Sequence, residues 1–158
     1  RPTTYWKIMK TKSVSLNNIE DILIEKLNNN GKIEFTVTGN SMLPFLRNRK
    51  TIVTLIKPNR SLKRGDIVLY KTTINNWALH RIIKVKPDYY IICGDALNRL
   101  EYINKNSIVA LLTGFKNNNT YISAQESIYK LKARLWLLTR PIRKYIFKLY
   151  HVFKRKND

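Results

Sequence analysis

The spacing of apolar side chains changes character twice along the chain. Residues 1–15 keep no sustained period and read as an irregular lead-in. From Asn17 the steps are helical: Ile19, Ile22, Leu23 and Leu27 recur on one side, Asn17 stands at a cap position and Glu20 three residues later completes a capping box. The run Asn28-Asn29-Asn30-Gly31 predicts the end of that helix, with Gly31 in the left-handed position that commonly follows one. Alternation then takes over at 32–38, followed by β-rich runs at 51–56, 67–70, 77–85, 89–93, 107–112 and 120–122. Turn signals separate them: Lys57-Pro58-Asn59, Lys63-Arg64-Gly65-Asp66, Asn75-Asn76, Lys86-Pro87-Asp88 and Asn117-Asn118-Asn119. Short strands this closely spaced predict a mainly β fold, an antiparallel barrel or sandwich rather than a βαβ unit. After Ser127 helical spacing returns through Ile128, Leu131, Leu135, Leu138, Ile142, Ile146, Leu149 and Phe153, with Lys and Arg crowding the other positions. Pro141 is expected to kink or divide this basic amphipathic helix. The pattern thus divides the chain into 1–31, a lead-in and helix; 32–123, a β-domain; and 124–158, a basic helical tail.

Composition adds a charge problem to this outline. A chain of 158 residues with 44% hydrophobic and 25% charged residues is ordinary for one folded domain. Thirty Lys and Arg against ten Asp and Glu leave +20, which points to an acidic partner: nucleic acid, an anionic membrane surface or an acidic peptide. Nearly half of that excess lies between residues 116 and 158, where eleven basic residues meet two acids. The single cysteine, Cys93, excludes an internal disulfide, and with two histidines it cannot build a Cys-rich zinc cluster. Neither a metal nor a cofactor is expected. No apolar run approaches the roughly 20 residues of a membrane-spanning helix, so a cytoplasmic or peripheral membrane location is expected. The sequence opens at Arg1 rather than Met, which leaves room for an anchor upstream.

Four short segments carry the candidate chemistry, in this order: Gly39-Asn40-Ser41-Met42-Leu43-Pro44, Arg64-Gly65-Asp66-Ile67-Val68, Leu79-His80-Arg81-Ile82-Ile83 and Cys93-Gly94-Asp95-Ala96. The ordered set resembles the signal peptidase and self-cleaving repressor superfamily of serine peptidases, over residues 33–115. That resemblance implies a small half-open antiparallel β-barrel with Ser41 as nucleophile. It also implies a general base in the position before Arg81, lysine in one branch and histidine in the archaeal and endoplasmic-reticulum branch. Here the residue is His80, so the sequence is closer to the Ser–His type.

Elementary chemistry agrees with those roles. A serine hydroxyl attacks a carbonyl when a neighbouring base takes its proton, and a histidine near pKa 6.5 does so at neutral pH. The ring in turn needs a carboxylate to fix its tautomer. Two compete: Asp95, expected to fill the role because its short side chain holds a ring more tightly, and Glu101, where Ser–His relatives carry a second acid. Backbone N–H groups from Gly39 through Asn40 to Ser41 are the expected oxyanion donors, with Gly39 allowing close approach of substrate. Met42, Leu43 and Phe45 could line an apolar substrate surface or belong to the core. Arg49-Lys50 stands where relatives usually place Gly-Asp, and Cys93 stands where lysine is common and reads as a buried spacer. His151, in the tail, has no acidic or nucleophilic neighbour and is expected to have no catalytic role.

The expected function is therefore a serine endopeptidase that removes a leader or signal segment from an exported peptide precursor. The tail would meet an anionic membrane or an acidic partner. A non-catalytic or repressor-like binding protein is the alternative; one short N-terminal helix makes no recognition pair, so nucleic acid is not the expected partner.

Overall fold

The computed structural model describes residues 20–74, 76–146 and 148–149. Helix α1 (Glu20–Asn28) is followed by β1 (Ile33–Thr36), β2 (Thr51–Ile56), β3 (Ile67–Lys71), β4 (Trp77–Val85), β5 (Tyr89–Cys93), β6 (Glu101–Asn104), β7 (Ile108–Asn117) and β8 (Thr120–Ser123), then helix α2 (Ser127–Leu138). All eight strands join one antiparallel sheet in the order β1-β2-β7-β3-β4-β5-β6, with β8 on β7. The fold is mainly β; β1 and β6 end the order and do not pair with each other. Among the described residues no helix is long and apolar enough to cross a membrane.

Alternation along β3 shows how the sheet is buried. Ile67 and Leu69 enter one apolar cluster, Val68 and Tyr70 the other, and all four are buried, so this central strand is covered on both faces. The larger cluster draws Leu23 and Leu27 from α1, Met42 and Leu46 from the β1–β2 connection, and Tyr129 and Ala133 from α2. Tail, β-domain and N-terminal helix thus share one core. The smaller cluster gathers Ile82, Ile92, Ile103 and Leu111 around Val68 and Tyr70.

Several expected boundaries shift. Strands β2, β4 and β5 fall where the pattern puts them, but β7 runs on to Asn117 and β6 was not anticipated. In α1 only Leu23 and Leu27 are buried, while Ile22 is 67% exposed and lies off the packed face. The left-handed residue after the helix is Asn30 (φ 55°), not Gly31. Gly31 is required instead by close approach, since a Cβ there would stand 2.6 Å from the Lys26 carbonyl oxygen. Helix α2 stops at Leu138, and Pro141 sits in the 3-10 turn Arg140–Ile142 that follows. The lead-in, Asn17, Ile19, Asn75, His151 and Phe153 lie outside the described residues.

Candidate active site

His80 and Arg81 are consecutive on β4, so the pleat sends their side chains to opposite faces of the sheet. His80 is buried on the face of the smaller cluster, where its Nδ1 lies 2.9 Å from Glu101 Oε1 on β6 and 2.8 Å from the Tyr70 hydroxyl on β3. A carboxylate only accepts, so Nδ1 must carry the proton and donate it to Glu101; the other tautomer would set two acceptors against each other. Tyr70 also hydrogen-bonds Glu101, and burial together with that carboxylate raises its pKa. His80 Nε2, the ring's remaining nitrogen, has no partner among the described residues. Burial lowers the His80 pKa below its ordinary 6.5, although Glu101 pulls the other way. The ring is held neutral at neutral pH with its basic nitrogen uncommitted.

Asp95 does not orient this ring. Its carboxylate grips Arg81 on the opposite face, Oδ1 to Nε at 2.8 Å and Oδ2 to Nη2 at 2.6 Å. The expected preference for Asp95 over Glu101 is thereby corrected: the Asp95 carboxylate is held in a two-pronged bond by a guanidinium on the opposite face, and it is Glu101 that meets His80 Nδ1. Arg81 also donates to the Gly65 carbonyl and the Tyr129 hydroxyl, and its guanidinium lies 5.2 Å from the Phe45 ring centre. Burial opposes the Arg81 charge, but the charge and hydrogen bonds of Asp95, with Tyr129, outweigh it and raise the pKa. The Asp95 carbonyl accepts from Trp136 Nε1 at 2.9 Å. This pair joins β4, the Gly94-Asp95 turn and α2, which is structural work.

Ser41 belongs to the β1–β2 connection, closed at its base by Arg49 N–H to the Val37 carbonyl at 2.8 Å and Val37 N–H to the Thr51 carbonyl at 2.9 Å. Arg49 adopts a left-handed φ of 56°, the conformation for which glycine is best suited. The Ser41 carbonyl accepts from Ala96 N–H at 2.8 Å. Ser41 thus rests on the Gly94 turn, where a Cβ on Gly94 would come within 2.6 Å of the same oxygen. The β4–β5 register ends with Arg81 opposite Cys93, and His80 and Gly94 are the next residues beyond that pair on either side. No hydrogen bond joins the Ser41 hydroxyl to His80 among the described residues.

No family model matches this chain, and no curated protein matches it.

The oxyanion expectations also change. Gly39 (φ 89°) spends its N–H on Asn48 Oδ1 at 3.0 Å, so it is not a free donor. The N–H groups of Asn40, Ser41 and Met42 donate to nothing among the described residues. Met42 is a core residue, 4% exposed, whose sulfur accepts from Asp95 N–H at 3.4 Å, so its side chain lines no substrate surface. Phe45 packs edge-on against Tyr129 and Trp136, and Leu43 is half-buried. Cys93 is buried, its thiol donates to the Leu97 carbonyl at 3.2 Å, and burial raises its pKa, so it is poorly suited to be a nucleophile. Among the described residues no group of three or more His, Cys, Asp and Glu is placed to hold a metal. The one site residue missed from sequence is Tyr70. Strand pairing could have found it, because Tyr70 is diagonal to His80 on the same face of β3–β4.

Proposed function

We propose that this chain is a serine endopeptidase of the signal-peptidase-like type, built on a half-open β-barrel, that cleaves a leader or signal segment from an exported precursor. Ser41 is the nucleophile, His80 the general base and Glu101 the residue that orients the base. One observation carries the reading. His80 is kept neutral by burial with Nδ1–H on Glu101, and the Ser41 main chain is seated against Gly94, which follows Cys93, the partner of the neighbouring Arg81 in the sheet. In the reaction, Ser41 Oγ attacks the peptide carbonyl carbon as its proton passes to Nε2. Glu101 stabilises the imidazolium, which returns the proton to the departing amine. Water, activated by the same ring, then hydrolyses the acyl-enzyme. The Asn40, Ser41 and Met42 N–H groups are the donors available to the oxyanion. Substrate binding has to close the Ser41–His80 hydrogen bond, a tightening common when apo sites meet substrate.

The test is incubation with a library of synthetic precursor-like peptides, with products read by mass spectrometry. Wild type is expected to cut, and Ser41→Ala to lose every cut while keeping the wild-type melting curve. Cleavage that persists in Ser41→Ala, or a wild type that cuts nothing, refutes the peptidase reading and favours a binding module that uses the same scaffold.

A further inference from the structure

Helix α2 packs on the core through Tyr129, Ala133 and Leu137, each 7% exposed or less. Its other side is not polar. Ile128, Leu131, Leu135 and Leu138 follow one another at steps of three, four and three, and are 61, 57, 55 and 71% exposed. On a helix those steps make one stripe, turned away from the packed face. The same spacing continues past Pro141 with Ile142, Tyr145 and Leu149, each more than half exposed. Seven large apolar side chains in a row exceed what a soluble surface usually leaves uncovered.

The charges beside the stripe indicate what covers it. Lys132 flanks it on one side and Lys130 and Arg134 on the other. The latter two also line a cleft of about 420 Å³ that reaches Lys63 and Arg64 in the β2–β3 connection and Leu138 on the stripe. These cations have no ion-pair partner among the described residues, while the acid in the cleft, Asp66, is already bound by Arg60 at 2.8 Å. A second copy would set cations against cations, which disfavours self-pairing. A partner helix would also have to follow the break at Pro141, whereas a flat lipid surface imposes no register across it.

We infer that the stripe on α2 and its continuation lie in the interface of an anionic bilayer, with Lys130, Lys132, Arg134 and the cleft cations against lipid phosphates and carboxylates. The helix is tied to the Gly94-Asp95 turn through Trp136 and to β4 through Tyr129 and Arg81, so docking fixes both relative to the membrane. This inference stands apart from the peptidase reading and is tested without any substrate.

The experiment is co-sedimentation of the full chain with phosphatidylcholine vesicles and with mixed phosphatidylcholine–phosphatidylserine vesicles. Wild type is expected to bind the mixed vesicles at least tenfold more tightly than the neutral ones, and less tightly as salt is raised. Leu131→Ser/Leu135→Ser, both at exposed positions, is expected to keep the wild-type circular dichroism and lose more than tenfold in binding to the mixed vesicles. Lys130→Ala/Lys132→Ala/Arg134→Ala is expected to remove the preference for phosphatidylserine. Equal binding by wild type and the double Leu variant overturns the inference. So does a wild type that ignores vesicles and forms dimers that the double variant abolishes, which would make the stripe a contact between copies.

Discussion

Replacing Glu101 by Gln changes one oxygen for one nitrogen and removes the charge opposite His80 Nδ1. In the native site that atom pair is 2.9 Å apart and largely shielded, with 10% of the His80 side chain and 26% of the Glu101 side chain exposed. A hydrogen bond to a charged group in such a setting contributes about 1.5–3 kcal/mol. In the proposed mechanism the bond strengthens when Ser41 gives its proton to the ring, so losing it should slow peptide cleavage by roughly 10- to 150-fold. The loss should approach about 10⁴-fold if the new amide donates to Nδ1 and inverts the tautomer. Two-dimensional ¹⁵N NMR of the imidazole reads this without a substrate. His80 is one of only two histidines, and the other, His151, is in the tail. Wild type should show Nδ1 protonated and Nε2 bare, with a titration midpoint below the ordinary 6.5 because burial outweighs Glu101. In Glu101→Gln the midpoint should fall further, since the group that raises it is gone. An unchanged midpoint, or a wild-type ring protonated on Nε2, would refute the role given to Glu101.

Other consequences follow from the same geometry. Asp95→Asn, at the residue that grips buried Arg81, should cost about 3–5 kcal/mol in urea unfolding while leaving the His80 tautomer intact. Retained stability with a changed His80 tautomer would return Asp95 to the ring. Gly94→Ala puts a Cβ 2.6 Å from the Ser41 carbonyl oxygen. It should therefore displace Ser41 and, on the proposed mechanism, lower cleavage by about 100-fold, against a stability loss of only about 1–3 kcal/mol. Arg49→Gly relieves a left-handed residue and should raise stability by about 1 kcal/mol in the same assay. Because the folded His80 pKa is depressed, protonation favours the unfolded chain. Stability from this group is present above pH 6.5 and lost as the pH falls toward the folded value. Unfolding midpoints should show that loss in wild type and not in His80→Gln.

The sequence carries the sheet better than it carries the site. Strands β2, β4 and β5 are legible because each is a compact β-rich run closed by turn residues, and their bounds needed no tertiary information. Strand β6 is Glu101-Tyr102-Ile103-Asn104, in which only Ile103 is buried; its strand character comes from pairing with β5. That one hidden strand also concealed the answer about the acid. Without it, Glu101 reads as a loop residue six positions beyond Asp95, whereas pairing with β5 places it on the His80 face. Adjacent strand residues point to opposite faces, which the consecutive pair His80-Arg81 already shows in the sequence. A partner for Arg81 and a partner for His80 must then be different carboxylates. The role of Gly31 and the exposure of Ile22 depend on how α1 meets the sheet, which local spacing does not specify.

In the proposed mechanism Ser41 and His80 act together as nucleophile and base. That pairing is tested most directly by the pH dependence of kcat/KM for one cleaved peptide, measured for wild type, Ser41→Ala and His80→Ala. Wild type is expected to show a single acid limb with its midpoint below 6.5, matching the NMR titration of His80, and neither variant any enzymatic rate at any pH. A rate that survives Ser41→Ala, or an acid limb that remains in His80→Ala, would contradict that mechanism.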